Sequence, residues 1–129
     1  MPHSFPALVT VLALVLYVAC FIMVGRARGR FGIKAPSVTG APEFERAFRV
    51  QQNTIEQLVV FLPALWLFAL YVSPRWGGIL GLIWMGGRAF YAVSYYREPE
   101  SRGPGFIIAA ISTAILLVGS LFGIAATVV

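Results

Sequence analysis

A chain of 129 residues that is 59% hydrophobic and only 12% charged, with a mean hydropathy of +0.83, is too apolar for a soluble globular domain. Its net charge of +5 does not indicate nucleic-acid binding, because the basic residues flank long apolar runs instead of clustering on a soluble face. The single cysteine excludes a disulfide framework, and neither Cys20 nor His3 has the neighbours in sequence that a metal site needs.

The first apolar run, Ala7 to Val24, carries no charge. Arg26, Arg28 and Arg30 follow it instead of preceding it, which suits a retained anchor better than a cleaved signal peptide. Cys20 lies in the middle of this run and reads as a small core residue. The connection GRARGRFGIKAPSVTGAPE is basic and rich in Gly and Pro. Pro42, with Glu43 and Glu45 behind it, marks a helix start: proline fits the first turn and acids suit the positive end of the dipole. This second helix is predicted to run to about Val72, longer than a bilayer requires, with its first turns in the headgroup layer and a kink at Pro63. Ser73-Pro74 ends it and turns the chain into an antiparallel third helix, whose apolar run from Ile79 to Tyr96 holds one charge, Arg88. Glu98-Pro99 closes that helix, and Gly103-Pro104-Gly105 opens the fourth, which is uncharged from Phe106 to Val129.

Runs of this length must satisfy their backbone groups internally in lipid, so they are expected to be helical. The expectation is one all-α integral membrane domain over residues 1–129, an antiparallel bundle of four transmembrane helices. Nine of the ten basic residues lie near the first and third connections, which puts those connections in the cytoplasm and both termini outside. The C-terminal ATVV carries no obvious retention signal, which favours a bacterial inner membrane over the endoplasmic reticulum. Gly119, Ser120 and Gly123 would allow close helix contact, with self-association and a lipid-facing surface as the two readings.

Two polar stripes stand out. Arg49, Asn53 and Glu56 fall within roughly 60° of one another on the second helix, and Glu45 extends that face outward. Arg88, Tyr91 and Tyr95 share a face of the third. Both stripes lie toward the same side of the membrane. Bland roles fit them too: Glu45 pairing with Arg49, Arg49 with Glu56, and the tyrosines forming an aromatic belt. As a site, they offer guanidinium groups for carboxylates, amides from Asn and Gln, Glu56 for an ammonium, and tyrosine hydroxyls. That set fits a small, peptide-like zwitterion with several carboxylates. The apolar helices beside it offer a groove for a second, hydrophobic ligand.

PEFERAFRVQQNTIE followed by GRAFYAVSYYREPESRG resembles the MAPEG family, the membrane-associated proteins in eicosanoid and glutathione metabolism, and within it the microsomal glutathione transferases and leukotriene-C synthase. The resemblance spans nearly the whole chain. It implies a homotrimer with glutathione as co-substrate, bound between subunits toward one membrane face, and no metal. Arg49, Asn53 and Glu56 match residues that hold the glutathione backbone, and Gln51 matches another contact. Arg88, Tyr91 and Tyr95 match contacts on the third helix, Arg28 matches a basic residue ending the first, and Arg102 matches the arginine that stabilises the thiolate. Gln57 stands where the family often has an aromatic residue, and Pro63 comes later than the family's proline. The implied activity is glutathione transfer to a hydrophobic electrophile, or reduction of a lipid hydroperoxide. A non-catalytic lipid-binding scaffold of the same fold is the alternative. A small multidrug exporter would need an acid deep in the first helix, where this chain has none.

Overall fold

The computed structural model describes all residues, 1–129. Four helices run in order: α1 Ser4–Phe31, α2 Pro42–Tyr71, α3 Pro74–Arg97 and α4 Gly103–Val128, with a 3-10 turn, Pro99–Arg102, between α3 and α4. Each boundary has a local cause. Gly32 ends α1 with a left-handed backbone, φ 66°, and Arg28 and Arg30 face the negative end of the helix dipole. Pro42 occupies the first turn of α2 with Glu43 and Glu45 beside it. Ser73 caps α3, its hydroxyl accepting the Trp76 N–H at 3.2 Å. Glu98, forced out of the helical region by Pro99, adopts an extended backbone and stops α3.

Three helical segments, α1, α2 and the stretch Pro99–Val128, are long and apolar enough to cross a membrane. α3 is not among them, which departs from the expectation of four apolar spans. Its 24 residues have the length, but much of its inward surface is glycine, tyrosine and Arg88 in place of aliphatic side chains. α3 is built to be packed against, not to face lipid on all sides. All four helices turn large apolar residues outward, among them Val15, Val59, Phe90, Ile111 and Leu121, as a lipid-facing surface requires.

Inside, Val9, Phe61, Leu65, Trp84 and Leu116 form the main core, with Phe61 stacked on Trp84 at 4.0 Å between ring centres. Polar side chains tie the helices where lipid offers no competing water. Trp66 Nε1 donates to Thr10 Oγ1 at 2.9 Å, and Ser112 Oγ donates to the Leu80 carbonyl. The small residues of α4 serve this packing within the chain. A Cβ on Gly119 would strike the Phe68 ring, one on Gly123 would lie 2.7 Å from the Tyr71 carbonyl oxygen, and Ser120 sits beside Ala64. Their close contact is with α2 of the same chain, so they are not a surface left for self-association.

α3 and α4 meet backbone to backbone. A Cβ on Gly105 would lie 2.5 Å from the Tyr91 nitrogen and 2.7 Å from the Gly87 carbonyl oxygen. Gly105→Val should therefore lower stability by about 1–3 kcal/mol or more. Gly86→Ala, in the helix interior where nothing lies within 4 Å, should hold the thermal transition in detergent or raise it slightly, since alanine is the better helix former. Equal transitions in the two variants would show that the helices separate easily.

Candidate functional site

The buried stripe of α2, Phe44, Ala47, Val50, Thr54, Leu58 and Phe61, fixes where its polar residues point. With about 100° between successive residues, Arg49, Asn53 and Glu56 are carried to one flank of that stripe and Gln51 to the other. On α3, Arg88 and Tyr91 are buried opposite, at 2% and 3% exposure. The 3-10 turn then returns the chain so that Arg102 stands at the N-terminus of α4.

These elements enclose a cavity of about 460 Å³ lined by Asn53, Glu56, Gln57, Arg88, Tyr91, Arg102, Gly103 and Phe106. Asn53 Nδ2 donates to the Tyr91 hydroxyl at 2.6 Å. The Arg88 guanidinium lies 4.1 Å from the centre of the Tyr91 ring and donates through Nη2 to Thr54 Oγ1 at 2.9 Å. Thr54 spends its own proton on the Val50 carbonyl at 2.7 Å. Cys20 Sγ, 3.9 Å from the same oxygen, is therefore the donor in that contact. Arg88 Nε has no hydrogen-bond partner. A nearly fully buried cation with an unspent donor beside a cavity is an arrangement that an anion would complete. Arg102 is exposed, with its Cζ 5.3 Å from the centre of the Tyr95 ring and its Nη1 donating to the Pro99 carbonyl at 2.8 Å. Next to the cavity is a second hollow of about 320 Å³, lined by Arg49, Glu45, Gln52 and, in common with the first, Asn53 and Glu56.

The MAPEG family pattern matches residues 6–122. The chain belongs to the MAPEG family. An uncharacterized protein of Synechocystis sp. is 50% identical over 119 residues, covering 92% of this chain and 87% of its own. Microsomal glutathione S-transferase 2 of Homo sapiens is 36% identical over 104 residues, 81% of this chain and 71% of its own. Leukotriene C4 synthase of Cavia porcellus is 32% identical over 120 residues, 93% of this chain and 80% of its own. The MAPEG membership and the three apolar helices make this an integral membrane protein.

In this MAPEG chain the residues singled out by sequence fall in different places. Asn53, Glu56, Arg88, Tyr91 and Arg102 line one cavity, and Arg49 lines its neighbour. Tyr95 does not line it; buried, it packs its ring 5.7 Å from that of Tyr91 and supports the Arg102 guanidinium from behind. Arg28 and Gln51 are elsewhere. Arg28 Nη1 donates to the Ser37 carbonyl at 2.8 Å and its guanidinium lies over Phe44, while Gln51 Nε2 donates to the Tyr17 hydroxyl on α1 at 3.3 Å. Glu45 is spent on the Gly40 N–H at 3.0 Å. Sequence reasoning missed Thr54 and Phe106. Thr54 falls on the apolar stripe, where a hydroxyl among Val50 and Leu58 was the available signal; Phe106 looks like any other apolar residue of α4.

Proposed function

We propose that this chain is a membrane-bound glutathione S-transferase that ionises the glutathione thiol and delivers it to hydrophobic electrophiles reaching it from the bilayer. The observation that carries this reading is the convergence of Asn53, Glu56, Arg88, Tyr91 and Arg102 on one cavity at the N-terminus of α4. Glutathione has two carboxylates, an ammonium, two amides and a thiol. Arg88 and Arg49 supply forks for the carboxylates, Glu56 a counter-charge for the ammonium, and Asn53 an amide partner. Arg102 is left for the sulfur, where the N–H groups of the first turn of α4 add positive potential.

A free thiol titrates near ~8.5, so little thiolate exists at neutral pH. Lowering that value by about two units requires about 2.7 kcal/mol of preference for the anion. One guanidinium contact in a partly dry cavity supplies energy of that order. The thiolate then forms the new carbon–sulfur bond as the leaving group departs. Attack on a lipid hydroperoxide would instead release the alcohol and leave a glutathione sulfenic acid, which a second glutathione converts to disulfide and water.

Arg28 and Gln51 face away from the cavity, so a ligand bound there would meet them only from a neighbouring copy. In this reading the protein is a homotrimer with glutathione between subunits, so that Arg28 and Gln51 of a neighbouring copy complete the site. The excess of basic residues in the first and third connections supports a cytosolic location for this end of the bundle with both termini outside, and the membrane in this reading is a bacterial inner membrane. Calorimetric titration of glutathione into the purified protein in detergent tests the reading: saturable heat is expected, and its absence in folded material ends it. Glu56→Ala should weaken binding about tenfold or more, the loss of one charge-assisted contact. An unchanged dissociation constant would remove Glu56 from the site.

A further inference from the structure

On the other side of α1 from Arg28, a groove of about 390 Å³ opens at the same end of the bundle. Its walls carry Arg26 and Arg30 from α1, Glu43 from the first turn of α2 and Tyr96 from the last turn of α3, over a floor that includes Met23 and Phe31. Arg26 and Arg30 are one helical turn apart and present two guanidiniums along one wall. Arg30 stands over the Phe31 ring at 5.1 Å. Arg28, between them in sequence, turns away to the Ser37 carbonyl.

The level of this groove is fixed by the chain. Arg26 comes two residues after Val24, the end of the uncharged run that began at Ala7. That run is about 27 Å of helix, close to the hydrocarbon thickness, so the guanidiniums emerge at headgroup depth. Below them, Ile22, Val15 and Leu8 continue the same face of α1, all exposed, as a track for a hydrocarbon chain. Two guanidiniums against the one Glu43 carboxylate leave one excess positive charge, which matches a single phosphodiester. Basic pockets between membrane helices hold anionic lipid headgroups for this reason.

We propose that this groove binds one singly charged anionic phospholipid, its phosphate between Arg26 and Arg30 and an acyl chain along α1. The site shares no lining residue with the cavity at α4, and it stands or falls independently of glutathione.

The test measures the thermal transition of the purified protein in a neutral detergent as lipids are added. Phosphatidylglycerol should raise it by several degrees in a saturable manner, since a ligand of the folded state stabilises by mass action. Phosphatidylethanolamine should raise it much less, and diacylglycerol or inorganic phosphate not at all. The double variant Arg26→Ala/Arg30→Ala should lose the response, while Arg75→Ala, at the opposite end of the bundle, should keep it. Equal stabilisation by phosphatidylethanolamine or diacylglycerol, or an undiminished response in the double variant, would overturn the assignment. So would a fall in particle mass on making the double variant, which would show that a second copy fills the groove. Should the double variant fail to fold, native mass spectrometry of the wild type decides. Retention of phosphatidylglycerol in preference to phosphatidylethanolamine from an equal mixture supports the site, and equal retention overturns it.

Discussion

Arg102→Ala should cut conjugation of glutathione to a chlorinated nitroaromatic substrate at least tenfold while glutathione still binds. The side chain is exposed, and its guanidinium is steadied by the Pro99 carbonyl and the Tyr95 ring. Removing it therefore leaves no buried group unpaired, and the fold should not suffer. The groups assigned to the carboxylates and the ammonium, Arg88, Arg49 and Glu56, remain in place. The loss should concentrate on the ionised sulfur: the bound thiol should shift back toward its free titration range, and the thiolate absorbance at neutral pH should fall with the rate. A variant that keeps both the rate and the thiolate signal would show that another cation performs this task. Arg28 of a neighbouring copy would then be the next to replace.

Arg88→Met should have effects of opposite sign on stability and on binding. Arg88 is 2% exposed, its Nη2 held by Thr54 and its Nε unpaired. A buried guanidinium is costly to desolvate, and an apolar side chain of similar length often replaces such a group without loss. The thermal transition of the ligand-free protein should thus stay level or rise. Glutathione affinity should fall by a factor of about ten to a hundred, the worth of a hydrogen-bonded charge contact. If the variant unfolds and the affinity of the remaining folded protein is unchanged, Arg88 is a packing residue and the carboxylate has another partner.

Helix boundaries were legible in the sequence because their causes are local: Pro42, Ser73-Pro74, Glu98-Pro99 and Gly103 act on the residues next to them. The flank shared by Arg49, Asn53 and Glu56 was legible because helical geometry alone sets it. What lies opposite a given face was not. Gly119 and Gly123 announced a close contact but not that Phe68 and Tyr71 of the same chain would fill it. Thr54 was hidden by its apolar neighbours, since its role depends on Arg88 arriving from 34 positions away. Arg28 and Gln51 showed polarity without direction, and their placement against Ser37 and Tyr17 required the packed bundle.

The meagre hydropathy of α3 bears on how the protein is made. A lone arginine inside an inserting helix costs roughly 2.5–3.5 kcal/mol at the bilayer centre, and glycines return little of it. α3 is a poor candidate to leave the translocon by itself. Its guanidinium finds a hydroxyl on α2, which is synthesised before it, and its tightest glycine contact, Gly87 against the Ala109 and Gly105 backbone, is with α4, which is synthesised last. Biogenesis should therefore run through a waiting α2 and a paired entry of α3 with α4, so that truncating the chain before Gly103 leaves α3 poorly integrated.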